Sequence, residues 1–159
     1  MSTTVRGGVV LGVLVTLWTF VMGFTGWYKD PVLLNLFFLV ILVQVGVLVW
    51  TLRRTAGAGA TYGRQIANGL VVSMIGGVII IAGSLLFTTV AFPDYFTDIQ
   101  AAQAEMLKAR GMSEADIRTA VAASAAMQTP VMNALSGFIG TIVTGLVVSA
   151  IAGYFIRRK

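Results

Sequence analysis

Residues 131–156 read VMNALSGFIGTIVTGLVVSAIAGYFI, 26 positions without a charge, closed by Arg157-Arg158-Lys159. At about 1.5 Å of rise per residue, a helix of that length is longer than the ~30 Å hydrocarbon core of a bilayer. Within it Asn133, Gly137, Thr141, Gly145, Ser149 and Gly153 recur every four residues, which lays a ridge of small side chains along one helical face. In lipid, apolar side chains gain little by touching one another. Helices associate instead where small residues let their backbones approach and dispersion act. The stretch is therefore expected to be a transmembrane helix with a built-in packing face.

Three more charge-free stretches lie upstream, at about Val9–Tyr28, Pro31–Leu52 and Ile66–Phe92. Only Lys29-Asp30 separates the first two, with Pro31 at a favoured first-turn position, so they are expected to form a tight antiparallel hairpin. Residues 53–65 form a short basic loop rich in Gly and Ala, and 94–130 form the one sizeable polar insertion. The expected fold class is all-α integral membrane: one domain, four transmembrane helices, and an extracytoplasmic two-helix insertion between the third and fourth. Composition agrees. Charged residues are 11% of the chain and mean hydropathy is +0.90, whereas a soluble domain carries about a quarter charged residues.

The first stretch has a basic residue, Arg6, and an apolar run, as a secretory signal does. It lacks an A-x-A cleavage pattern and is long for such a core. It is read as helix 1.

Lys and Arg set the expected orientation. With the N-terminus cytoplasmic, Arg6, Arg53, Arg54, Arg64, Arg157, Arg158 and Lys159 lie inside without an acid. Lys29, Lys108, Arg110 and Arg118 lie outside with every acid: Asp30, Asp94, Asp98, Glu105, Glu114 and Asp116. The positive-inside rule selects this arrangement, with both termini cytoplasmic. It also explains the net charge of +5 without a nucleic-acid partner. Aromatic residues mark the interfaces: Trp27, Tyr28, Phe92, Tyr95 and Phe96 at the outer one, Trp50, Tyr62, Tyr154 and Phe155 at the inner one. Trp18, near the middle of helix 1, is expected to be a lipid-facing or packed ring.

The insertion reads as two helices, about 95–110 and 114–127. Asp94 is placed to cap the first and Gly111 to end it in a left-handed conformation. Ser113-Glu114-Ala115-Asp116 resembles a capping box with Asp in place of Glu or Gln. Helices 3 and 4 have longer apolar runs than helices 1 and 2; tilt would absorb the surplus, and the preferred expectation is that both protrude outward and carry the insertion as a cap. Small residues recur in helix 3 at Gly69, Ser73 and Gly77, with Gly76 adjacent, and in helix 1 at Gly8, Gly12 and Thr16. Helix 2 is bulky and reads as facing lipid or another membrane protein.

Chemistry is scarce. The chain has no Cys and no His, which removes disulfides, thiolate and imidazole metal ligands, Cys nucleophiles and His bases. No Asp, Glu, Lys or Arg interrupts a span, although such residues mark ion pathways and proton relays. Gln44, Asn68 and Asn133 are the candidate polar contacts within the membrane, and Gln44 is expected to hydrogen-bond between helices, with a solute-binding amide as the alternative. Asp94 and Asp98 lack a third ligand and read as helix-terminal charges. No cofactor is identifiable; a bound lipid or pigment is compatible with the sequence.

Several segments together carry a resemblance: Tyr62-Gly63 in the basic loop, Ser73-Met74-Ile75-Gly76-Gly77, Phe92-Pro93-Asp94-Tyr95-Phe96, Gly111 through Ile117, and Pro130-Val131-Met132-Asn133-Ala134 before the terminal Arg-Arg-Lys. The chain resembles a bacterial family of four-span inner-membrane proteins of similar length, classed as a domain of unknown function. The resemblance implies that location and topology and assigns no activity or site residue. From the residues, the preferred expectation is a non-enzymatic scaffold or accessory subunit of a larger membrane complex, with lipid and another membrane protein, or a second copy, as partners. The alternative is a homo-oligomeric channel or carrier for a neutral or lipidic solute, its pore formed between copies because four short helices enclose little volume.

Overall fold

Helix α1 (Thr3–Thr25) starts where the Ser2 hydroxyl accepts the Val5 N–H at 3.3 Å, and stops at Gly26, whose φ of +71° suits a residue without Cβ. These details come from a computed structural model that describes residues 1–156. A one-turn 3-10 segment (Trp27–Lys29) follows. The Asp30 carboxylate then accepts the N–H groups of Val32 and Leu33 at 2.7 and 3.1 Å and opens a second 3-10 segment, Leu33–Phe38. This segment runs into α2 (Leu39–Gly57). Pro31 thus sits in a turn, and the first part of the second span is wound more tightly than the regular helix expected there.

Helix α3 (Tyr62–Leu86) continues through a π-helical turn, Phe87–Ala91, closed by the Phe92 N–H on the Phe87 carbonyl at 2.8 Å. Then come α4 (Tyr95–Ala109), α5 (Glu114–Ala125) and α6 (Pro130–Ile156). Among the described residues there is no strand. Four helical stretches are long and apolar enough to cross a membrane: Thr3–Thr25, Leu33–Gly57, Tyr62–Ala91 and Pro130–Ile156.

The basic loop is shorter than its charges suggested, because α2 runs on to Gly57 and α3 begins at Tyr62. Charge limits the apolar run, not the helix. Arg54 in the last turn of α2 even suits the negative end of the helix dipole.

Around the bundle the helices follow the order α1, α3, α6, α2. Helix α1 neighbours α2, as expected of a hairpin, but leans mainly on α3, and α3 in turn mainly on α6. The two ends of the bundle differ. At the end holding the start of α1 and the last described turns of α6, Leu11, Leu48, Leu52, Thr51, Gln65, Val72, Ser73 and Ser149 are fully buried. At the other end, which carries α4 and α5, residues 33–38 bury no side chain and rest on α1 and the 27–29 turn.

The insertion is a helical hairpin. Gly111 (φ +78°) ends α4 in a Schellman arrangement, with the Gly111 and Met112 N–H groups on the carbonyls of Lys108 and Leu107. Ser113 caps α5 by accepting the Asp116 N–H at 3.2 Å, and its hydroxyl donates to the Asp116 carboxylate at 2.6 Å. Asp94 occupies the N-cap position of α4, yet its side chain makes no capping bond.

Candidate functional site

The ridges on α3 and α6 meet in register. A methyl group on Gly69 would collide with the Ser149 hydroxyl, and one on Gly145 with the Ser73 hydroxyl. Each helix thus sets a serine on the other's glycine. Gly77 accommodates the Phe138 ring in the same way. Gly76, one residue earlier and about 100° around the helix, faces α1: a methyl there would stand 2.9 Å from Leu11 Cδ2 and 3.2 Å from the Gly8 carbonyl. The Gly76-Gly77 pair therefore serves two neighbours.

Gln65 was missed in the sequence. It is fully buried, donates to the Leu52 carbonyl at 2.9 Å and accepts the Thr55 hydroxyl at 2.7 Å, tying α3 to the end of α2. A methyl on Gly153 would lie 3.1 Å from its Cβ. The signal was present: Gln65, Gly69, Ser73 and Gly77 continue the same four-residue series by one step.

Toward the hairpin end the ridge loosens. Gly137 is exposed, and a methyl there would meet only Ile80, at 3.6 Å. Here the helices part around a cavity of about 550 Å³, within the ~300–1,000 Å³ usual for small-molecule sites. It lies inside one chain, contrary to the expectation that four helices enclose little volume. Its walls include Thr16 and Thr19 of α1, Phe37 and Gln44 of the second span, Ser84 and Phe87 of the third, and Ser136, Gly140 and Thr144 of α6. None of its lining residues is charged.

The polar groups on this wall differ in how far they are satisfied. Gln44, only 5% exposed, donates through Nε2 to the Thr141 carbonyl at 2.7 Å. Among the described residues its Oε1 has no hydrogen-bond partner. Thr19 and Thr141 return their hydroxyls to the carbonyl four residues back. Thr16 does not, and its buried Oγ1 is unpartnered. Asn133 donates to the Ser84 hydroxyl at 3.1 Å. Asn68 lies elsewhere, half-buried near the start of α3, and forms no side-chain hydrogen bond with the described residues.

Trp18 is a packed ring: its indole N–H donates to the Leu36 carbonyl at 3.1 Å and holds the 3-10 segment to α1. Above the cavity, Phe20, Phe24, Tyr28, Phe87, Phe92 and Tyr95 form a chain of tilted and edge-to-face rings. Tyr28, 4% exposed, donates to Asp98 Oδ2 at 2.8 Å, and Lys29 pairs with the same oxygen at 2.9 Å. Those two hydrogen bonds, Lys29's first, hold the Asp98 carboxyl below its ordinary range. The Asp98 partner likewise raises Lys29. Desolvation pushes Tyr95 up to about 12, and the proximity of Tyr28 adds to it. Asp98 thus fastens α4 to the 27–29 turn and shares no ligand set with Asp94. Among the described residues no three carboxylates gather as a metal site would require.

A family model described as "Protein of unknown function (DUF4199)" matches residues 6–158. The chain belongs to that family. No curated protein and no solved structure matches it. The DUF4199 match spans both halves of the bundle and the hairpin, so the cavity and the α3–α6 contact both fall within the family's extent.

Proposed function

We propose that this protein is a non-enzymatic, four-span protein of the bacterial inner membrane that holds an uncharged ligand in the cavity between its helices. One observation carries the reading: a cavity of about 550 Å³ whose lining mixes amides, hydroxyls and apolar side chains without a charge. Sites that do acid–base or metal chemistry need placed acids, bases or ligands, and this wall offers hydrogen bonds and shape. The distribution of Lys and Arg supports cytoplasmic termini and an extracytoplasmic α4–α5 hairpin.

The test is isolation of the full chain from its native membrane in polymer-bounded discs, with mass analysis of retained small molecules. The comparison is Gly140→Phe, since Gly140 lines the cavity and has open space beyond its Cα. An uncharged molecule kept by the native chain and lost from the variant supports binding. Identical contents in both would sink it.

A second reading, an accessory subunit of a membrane complex, is supported by the hairpin, where α4 and α5 bury no side chain, and by the exposed Phe38 and Leu42 on the second span. A second protein retained in fixed ratio would favour it; a homogeneous oligomer of this chain alone would count against it.

A further inference from the structure

The cavity has a side door. Residues 33–38 lean on α1 through the Trp18–Leu36 hydrogen bond and leave the first turns of α6 uncovered. Phe37, Phe38 and Ile41 on one side, and Ser136, Gly137 and Gly140 on the other, line the cavity and are exposed at once. The opening therefore faces the surroundings of the bundle, which for a spanning helix is hydrocarbon. One jamb is aromatic and aliphatic, and the other is small. Deeper in, the free Oε1 of Gln44 offers an acceptor, whereas the Thr16 hydroxyl is packed against Gly83 and closed to a ligand.

A ligand suited to this arrangement reaches the cavity from lipid, carries no charge, and has a short head that donates a hydrogen bond. We infer that the ligand is a neutral lipid with a hydroxyl head, its hydroxyl donating to Gln44 Oε1 and its chain leaving between residues 37–41 and α6. This rests on the cavity being a binding site and adds the ligand's class and orientation. Burying a bare hydroxyl in such a wall is unfavourable unless it is paired, and Gln44 Oε1 would pair it. A phosphate head would meet no cation among the lining residues. Two sources share the chemistry, a diacylglycerol and a polyprenol.

The experiment is native mass spectrometry of the purified full chain titrated separately with dioleoylglycerol, a long polyprenol and dioleoylphosphatidylglycerol. Gly140→Phe and Gln44→Met are run alongside, each first shown to keep the native denaturation midpoint. Expected is binding of at least one hydroxyl lipid, lost in Gly140→Phe and weakened about tenfold in Gln44→Met, the scale of one or two hydrogen bonds. The preferred hydroxyl lipid names the source. Equal binding of the phosphatidylglycerol, also lost in Gly140→Phe, would overturn the head-group assignment and leave the cavity reading standing. Unchanged affinity in Gln44→Met would overturn the seat at Gln44. If no lipid binds in a way that Gly140→Phe removes, both readings fall.

Discussion

The hydroxyl of Ser149 occupies the space that a side chain on Gly69 would need. Four residues along each helix the relationship repeats in reverse, Ser73 against Gly145. Two Gly-x-x-x-Ser segments thus interlock as an antiparallel pair, with two serine hydroxyls buried and unpartnered at the centre. Close backbone approach is the gain, and it offsets the loss of two hydrogen bonds.

This interlock predicts a swap. Gly69→Ala alone should lower stability by about 1–3 kcal/mol, the usual range for overpacking. Gly69→Ala with Ser149→Gly should recover most of it, because the cavity left by one change receives the methyl of the other. Denaturation midpoints in mixed micelles measure both. No recovery in the double variant would mean the two positions are not in contact.

Trp18→Phe should free the 33–38 segment. The indole hydrogen bond to Leu36 is its tie to α1, and one such bond is worth roughly 1 kcal/mol, or about fivefold. Hydrogen exchange of a peptide covering 33–38 should quicken by that order while peptides covering 65–77 stay unchanged. Equal acceleration in both regions would point to general loosening instead.

The Lys29–Asp98–Tyr28 anchor should hold α4 over a wide pH range. Asp98 is lowered when folded, so its contribution is present above the ordinary carboxylate value near ~4 and is lost as pH falls through the lowered one. Lys29 and Tyr28 are raised, so theirs is present below about pH 10 and is lost as pH rises through the raised values. A spin label at Ala101→Cys should be ordered at neutral pH and gain mobility toward both extremes. In Asp98→Asn the acid transition should vanish, and its persistence would assign the motion to another group.

The absence of native cysteine allows a clean topology test. With cytoplasmic termini, Ser113→Cys should react with a membrane-impermeant maleimide in intact cells, whereas Ala58→Cys should react only after permeabilisation. The opposite pattern would invert the orientation.

Most of the architecture was legible because one physical demand, the absence of charge over some twenty residues, marks a helix able to span. The four-residue series of small side chains likewise pointed to α3 and α6, and Gly111 and Ser113 announced the hairpin turn by backbone chemistry alone. Less legible was everything that depends on how far apart helices stand. The ridge from Gly137 to Gly153 looks uniform as letters, yet it is tight at Gly145 and open at Gly137, because residues 33–38 follow Trp18 toward α1 instead of closing on α6. The partner of Asp98 was hidden for a similar reason. Tyr28 and Lys29 lie 70 and 69 positions earlier, and only the fold brings them beneath α4.

The closed end of the bundle has a consequence for sidedness. Leu11, Leu48 and Val72, with the serine–glycine interlock beyond them, make a floor beneath Gln44. The cavity is therefore a blind pocket, not a passage. A bilayer has two leaflets, and a pocket that opens beside one end of its helices exchanges with one of them. If the cavity holds the proposed lipid, this conformation would admit and release it on a single side of the membrane, with no route to the other.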